Sequence, residues 1–236
     1  LQSTNQLARI HSMWAIAMIQ RDDDMNHMGS ILPLLEDSDP EIQAQACRIL
    51  GEAHYANSFS KIVSLIDDLN PRVSYFATMA TGYLGNAKDA IVAMLARNND
   101  EDVYLRHAGV VALTKTQYAA TMANLQTHPS RAVRLAAVLV LRRMESRFVS
   151  DFLEDSDDLV ATEAARAIHD GRIQNAMHAL SASLPFARTI PWQKRAISAN
   201  KMKHLCDESI RVADFAADES KPVETRLLAM QSLTDW

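Results

Sequence analysis

Ser130 to Gly171 reads SRAVRLAAVLVLRRMESRFVSDFLEDSDDLVATEAARAIHDG. It holds a helical pattern, a short turn, a second apolar-periodic segment, an acidic turn, and then the first pattern again. Val133-x3-Ala137-x2-Val140-Leu141 returns as Val160-x3-Ala164-x2-Ala167-Ile168. Positions 0, +4 and +7 share one face of a helix, so the same buried face occurs twice. A unit that cannot bury its apolar face alone must stack on its neighbours, which makes the chain a helical-repeat array.

Outward from that stretch the register continues. Inner-helix anchors fall at Ile42, Val73, Leu105, Val133, Val160, Trp192 and Val223, with an earlier copy at Leu7. Four residues on stand Ala46, Ala77, Gly109, Ala137, Ala164, Ala196 and Leu227; seven on stand Ile49, Ala80, Ala112, Val140, Ala167, Ala199 and Met230. Small residues at nearly every +4 position mean that another helix backbone comes close there. A second, outer helix is also periodic, as in Met28-x2-Ile31-Leu32-x2-Leu35, Ile62-x2-Leu65-Ile66 and Ile91-Val92-x2-Leu95. Asp39-Pro40 and Asn70-Pro71 place an oxygen cap before a first-turn proline. Gly51, Gly82, Gly85 and Gly171 fall near helix ends, where a left-handed residue closes a helix. The expectation is an all-α fold, an α-α superhelix of about seven helical pairs, or about fifteen helices, forming one array over residues 1–236.

Composition agrees. Six glycines, seven prolines and 48% apolar residues suit helices, with too few β-branched and aromatic runs for a sheet. The net charge of −5 is spread along the chain, whereas phosphate backbones require concentrated positive charge, so no nucleic-acid partner is expected. Cys47 and Cys206 lie several repeats apart. Stacked helices are roughly 8–10 Å apart and a disulfide needs Cα atoms within about 7 Å, so the two read as isolated thiols. The apolar run from Leu135 to Leu141 falls far short of the roughly 20 residues of a membrane span. It is apolar all round the helix, so it is either sandwiched or exposes a patch, and burial is the expectation.

Asp39-Pro40-Glu41-Ile42 followed by Ala46 and Leu50-Gly51 resembles the HEAT-like (armadillo-type) repeat, in which an acidic turn precedes a Val/Ile-anchored inner helix. Tyr104 to Ala108, His128 to Ala137 and Thr162 to Asp170 more specifically resemble the HEAT-repeat region of large bacterial proteins. His11 to Ala15 fits the opening repeat. In that family the repeats link a sugar-dehydrogenase-like propeller to a c-type cytochrome domain. The resemblance implies a periplasmic or otherwise extracytoplasmic location, a fragment of a longer multidomain protein, and a spacer or docking role. A cytoplasmic adaptor is the alternative. The chain carries no Cys-x-x-Cys-His haem site and no propeller repeat, so neither activity transfers to it.

No catalytic constellation is legible, and no cofactor or metal is expected. The acidic turns at 37–39, 99–102, 155–158 and 218–219 lack the alternating ligands and distal Glu of a calcium loop and read as helix caps. The eight histidines form no His-x3-His pair. Between the buried positions the inner helices carry Tyr75, Arg106, His107, Arg134, Thr162, Arg166, Lys194, Arg195 and Arg226. In a superhelix these would line the concave side, where repeat proteins bind, and Tyr and Arg often anchor interfaces. The competing reading is a ladder of ion pairs between repeats, each worth little at the surface. Trp192 replaces the expected Val after a long linker; Trp14 and Trp236 lie near the two ends. The function expected is a non-catalytic scaffold for proteins or neighbouring domains. The alternative is an enzyme on the same fold, resembling HEAT-like DNA glycosylases or phycobilin lyases.

Overall fold

The computed structural model describes residues 1–22, 27–203 and 206–234. Among them are thirteen α-helices, six short 3₁₀ segments and no strand. The chain divides into two compact units, Leu1–Tyr118 and Ala119–Trp236.

In the first unit α1 (Gln6–Asp22), α2 (Pro40–Glu52), α4 (Pro71–Leu84) and α6 (Val103–Thr116) pack in succession as one layer. A 3₁₀ segment at Leu32–Glu36, α3 (Phe59–Leu65) and α5 (Lys88–Asn98) pack against α2, α4 and α6 respectively. In the second unit the inner layer is α8 (Arg131–Arg143), α9 (Asp158–Asp170), α11 (Ile190–Lys203) and α13 (Val223–Thr234). Its outer elements are α7 (Ala119–Ala123) with a 3₁₀ turn at Asn124–Thr127, a 3₁₀ segment at Arg147–Glu154, α10 (Gln174–Ala182) and α12 (Cys206–Ala217). Each unit is thus a stack of helical pairs. The outer partners are shorter than their periodicity suggests. At Leu32–Glu36 Pro33 has no N–H to donate to the carbonyl of Gly29, so no α-helix runs on from Met28–Ser30 through this segment.

The 0, +4, +7 register holds through the middle of the chain. Ile42, Val73, Val133, Val160 and Trp192 are buried and Leu105 is half-buried, and the small residues four positions on from Ala46 to Ala196 are buried. Leu135 to Leu141 is covered, apart from the half-buried Leu139. The end copies differ. Leu7 is exposed, and α1 instead buries Ile10 and Met13. Val223, Leu227 and Met230 are all more than half exposed, whereas Thr225, Ala229 and Ser232 are buried. The last helix keeps the spacing but sits two residues out of the expected phase, because its small residues lie on that other face. Trp236 and His204 lie outside the described residues.

Gly85 closes α4 at a positive φ of 156°, but the other helix-end glycines do not take that role. His54, Glu145 and Arg172 occupy the left-handed conformation at the ends of α2, α8 and α9. In each case the amide of the next residue donates to the carbonyl five positions back: Tyr55 to Leu50, Ser146 to Leu141, Ile173 to Ile168. Gly51 and Gly82 serve packing instead. A Cβ on Gly51 would stand 2.7 Å from the Cβ and 2.8 Å from the Cα of Ala80, so α2 and α4 meet almost backbone to backbone. Gly82 faces Ala112 in the same way, with a Cβ 3.3 Å from its Cα. Both glycines stand nine residues after their anchor. The corresponding residues of the second unit are Arg142, His169 and Lys201. There Arg142 reaches Glu163, and His169 Nε2 lies 2.9 Å from Ser198 Oγ, so polar bridges replace the close contact.

A methyl at Gly51 would gain about 1 kcal/mol of helix propensity but must push two backbones apart, and overpacking typically costs about 1–3 kcal/mol. Gly51→Ala should therefore lower the urea midpoint, and Gly82→Ala, with more room, should lower it less or leave it unchanged. A midpoint raised by Gly51→Ala would contradict this packing.

Candidate functional site

The turns before the inner helices are built on a repeated Asp-x-Asp or Asp-x-Asn. The second residue caps the helix: Asp39 accepts from Glu41 N, Asn70 from Arg72 N, Asp102 from Tyr104 N and Leu105 N, Asp157 from Leu159 N and Val160 N. The first carboxylate accepts the cap residue's own amide, as Asp37, Asp68 and Asp155 do at 2.9, 2.7 and 2.8 Å. Each of these turns thus gives at least one carboxylate or amide oxygen to backbone amides of the helix start. Among the described residues no three His, Cys, Asp or Glu side chains gather so as to hold a metal ion. Cys47 is buried, and that burial pushes its thiol up to about 12. Cys206 is exposed. Among the described residues no helix is long and apolar enough to cross a membrane.

Most cations singled out in the sequence are engaged inside the fold. Arg134 forms two hydrogen bonds with Asp155, at 2.7 and 3.1 Å, and donates to the His128 and Pro129 carbonyls. Its guanidinium is held above the usual arginine range chiefly by the Asp155 hydrogen bonds. Arg195 clamps Asp170 at 3.1 and 2.8 Å. That carboxylate sits at the C-terminus of α9, where the helix dipole disfavours it, and Arg195 offsets the repulsion. Arg195, with help from His169, pulls Asp170 from 3.8 down to about 2. Arg166 lies between Glu163 and Asp170, Lys194 pairs with Glu224 at 2.5 Å, and Arg106 pairs with Asp100. Arg226 donates to the Ala216 carbonyl, and the Thr162 and Thr189 hydroxyls lie 2.7 Å apart. Arg72 bonds Glu41 on the preceding inner helix, and Arg188 bonds Asp158. Pairs between repeats thus hold Arg134, Lys194, Arg195, Arg72 and Arg188, and contacts within a repeat hold Arg106, Arg166 and Arg226. Trp192 is fully buried and donates its indole N–H to Ser183 Oγ at 2.9 Å, with Phe186 edge-on.

Tyr75 and His107 are different. They lie on α4 and α6, at the same place in successive repeats, Tyr75 half-buried and His107 exposed. Tyr75 opens into a groove of about 410 Å³ whose walls are Pro71, Arg72, Tyr75, Asp102 and Tyr104. Its surface is largely aromatic and apolar, and Tyr104 is 71% exposed. Arg72 leaves little free charge in it, since its guanidinium is held by Glu41 and laid over the Phe76 ring, 5.1 Å from its centroid. The sequence reading had Tyr75 but not Tyr104, Asp102 or Pro71. The available signal was positional. Arg72 and Tyr104 precede their anchors by one residue and Tyr75 and His107 follow by two, so the four share one face.

The sequence profile of HEAT repeats matches residues 29–114, the stretch that contains this groove. No curated protein matches the chain. Among solved structures, an archaeal HEAT-like repeats protein from Thermococcus onnurineus NA1 aligns with 99% of this chain and 97% of its own length, at 14% identity and a TM-score of 0.47. Human deoxyhypusine hydroxylase, solved with glycerol, aligns over 99% and 92% at 14% identity and a TM-score of 0.39. An engineered protein aligns over 100% and 79% at 15% identity and 0.42. The HEAT-like architecture rests on the helical packing and on the profile match, not on these likenesses.

Removing one partner of a buried ion pair strands the other charge, at a cost of about 3–5 kcal/mol. Asp155→Ala should lose stability on that scale, and Arg134→Met added to it should recover part of the loss; strict additivity in the double-mutant cycle would refute the coupling. Asp170 gives a pH signature. A carboxylate depressed from 3.8 to about 2 contributes stability that is complete above the unfolded-state value and disappears as pH falls through about 2. Arg195→Gln should therefore be less stable than the parent near neutral pH and converge with it at the acid end. A carboxyl titration by NMR should show Asp170 returning toward its ordinary value.

Proposed function

We propose that this chain is a non-catalytic helical-repeat scaffold that docks proteins or neighbouring domains through the exposed face of α4 and α6. The groove between Tyr75 and Tyr104 carries this reading. Most of the cations noted on the other inner helices are bonded within the fold, while here a large aromatic surface stands open on a layer of helices. Tyrosine presents much contact area for little lost rotamer freedom, which suits an interface anchor. The charge distribution gives a nucleic-acid enzyme no support. Leu1–Tyr118 holds 14 acidic against nine basic side chains, and Ala119–Trp236 holds 15 of each.

The segments that resemble the exported redox family support a finer reading, in which the docked domains belong to the same polypeptide. Reading the open frame on both sides for a propeller and a Cys-x-x-Cys-His segment tests that. The docking face itself is tested by photo-crosslinking. Benzoylphenylalanine at Tyr104 should give discrete crosslinked products in cells, and at Asp89, exposed on α5, it should not. Equal labelling at both positions would overturn the assignment of this face.

A further inference from the structure

We infer that the groove between α4 and α6 takes an arginine or lysine side chain from an extended basic segment of the partner. This rests on the docking role above and names its chemistry. Two observations carry it. The first is the pairing of walls: the aromatic rings of Tyr75 and Tyr104 and the ring of Pro71 stand beside a carboxylate, Asp102. A long cationic side chain lays its apolar stem along such rings and offers its charge to the aromatic face and to the acid. The groove, at about 410 Å³, has room for one.

The second is the state of the charges. Asp102 spends one oxygen, Oδ1, on the amides of Tyr104 and Leu105. Among the described residues no cation lies within ion-pairing distance of it, nor of Asp68 and Glu101 in the turns leading into α4 and α6. Arg72, the cation in the wall, is already answered by Glu41 and would not oppose a second positive charge strongly. The whole net charge of the chain, −5, belongs to Leu1–Tyr118, the unit that contains the groove. An acidic segment would meet that field unfavourably, and a basic one would be drawn to it.

The test uses the full chain and a fluorescein-labelled nonapeptide of alternating arginine and serine, read by anisotropy, beside the same peptide with glutamate for arginine. The arginine peptide should bind and the glutamate peptide should not. Tyr104→Ala removes an exposed ring, and Asp102→Asn keeps the capping oxygen while removing the charge. Each should weaken binding by about fivefold or more. Asp89→Asn, which removes an exposed charge from α5, should change it less than about twofold. No binding of the arginine peptide, or equal weakening by Asp89→Asn and Asp102→Asn, would overturn the inference. A random-peptide display selection against the chain, counterselected with the Tyr104→Ala variant, separates the two levels. Selected sequences rich in arginine or lysine support the inference. Sequences lacking them overturn it and leave the docking face standing. Recovery of no peptide that depends on Tyr104 overturns both.

Discussion

Adjacent inner helices of Leu1–Tyr118 meet where Gly51 lies against Ala80 and Gly82 against Ala112, with no space for another methyl at the first of these contacts. Much of this unit's arrangement follows from that closeness. Helices brought together through small residues turn one face fully inward, so Ile42 and Val73 are buried and each outer element has a fixed surface to cover. The opposite face, which carries Arg72, Tyr75, Tyr104 and His107, is left for solvent or a partner. In Ala119–Trp236 the same position holds Arg142, His169 and Lys201, and hydrogen bonds to the next helix take over from backbone contact. The two units thus use one repeat plan with different interhelical contacts.

The Asp-x-Asp turn performs two tasks with adjacent carboxylates. One caps the following helix, and the other both shapes the turn and, at Asp37 and Asp155, binds an arginine from a neighbouring inner helix. Because these groups are partly withdrawn from water, the pairs are hydrogen-bonded on several sides, as buried charges must be. That is why an arginine counted from sequence as a surface residue is so often unavailable. Arg134 and Arg195 stabilise the stack. What the face of α4 and α6 leaves exposed is largely aromatic: Tyr104, beside the half-buried Tyr75, whose ring meets Phe76 edge-on.

Legibility followed the strength of the local constraint. The caps at Asp39 and Asn70 were readable because an oxygen before Pro in a first turn has few other uses. The inner register was readable at most helices in the middle of the chain, where burial enforces it, although the anchor Leu105 is only half-buried. It failed at α13, where Val223, Leu227 and Met230 match the pattern yet are exposed, while Thr225, Ala229 and Ser232 pack inward. Gly51 and Gly171 looked like helix stops. The left-handed positions belong instead to His54 and Arg172, where the hydrogen bonds that close the helix hold a non-glycine residue in that conformation. The outer partners at 32–36 and 147–154 kept their apolar spacing but formed 3₁₀ turns, a distinction that periodicity over so few residues does not make.

By itself the sequence determined the all-α class, the repeat spacing, the caps and the near absence of concentrated positive charge. All of these are properties of neighbouring residues or of sums over the chain. Only the tertiary structure decided which polar residues are free. Arg134 and Tyr75 look alike as candidates along the chain, each one or two residues from an apolar anchor. Asp155 lies 21 residues from Arg134 and bonds it twice, while Tyr75 meets Tyr104 and Asp102 across a groove between separate helices. Availability for binding depends on partners brought together by helix packing, and no local pattern encodes that.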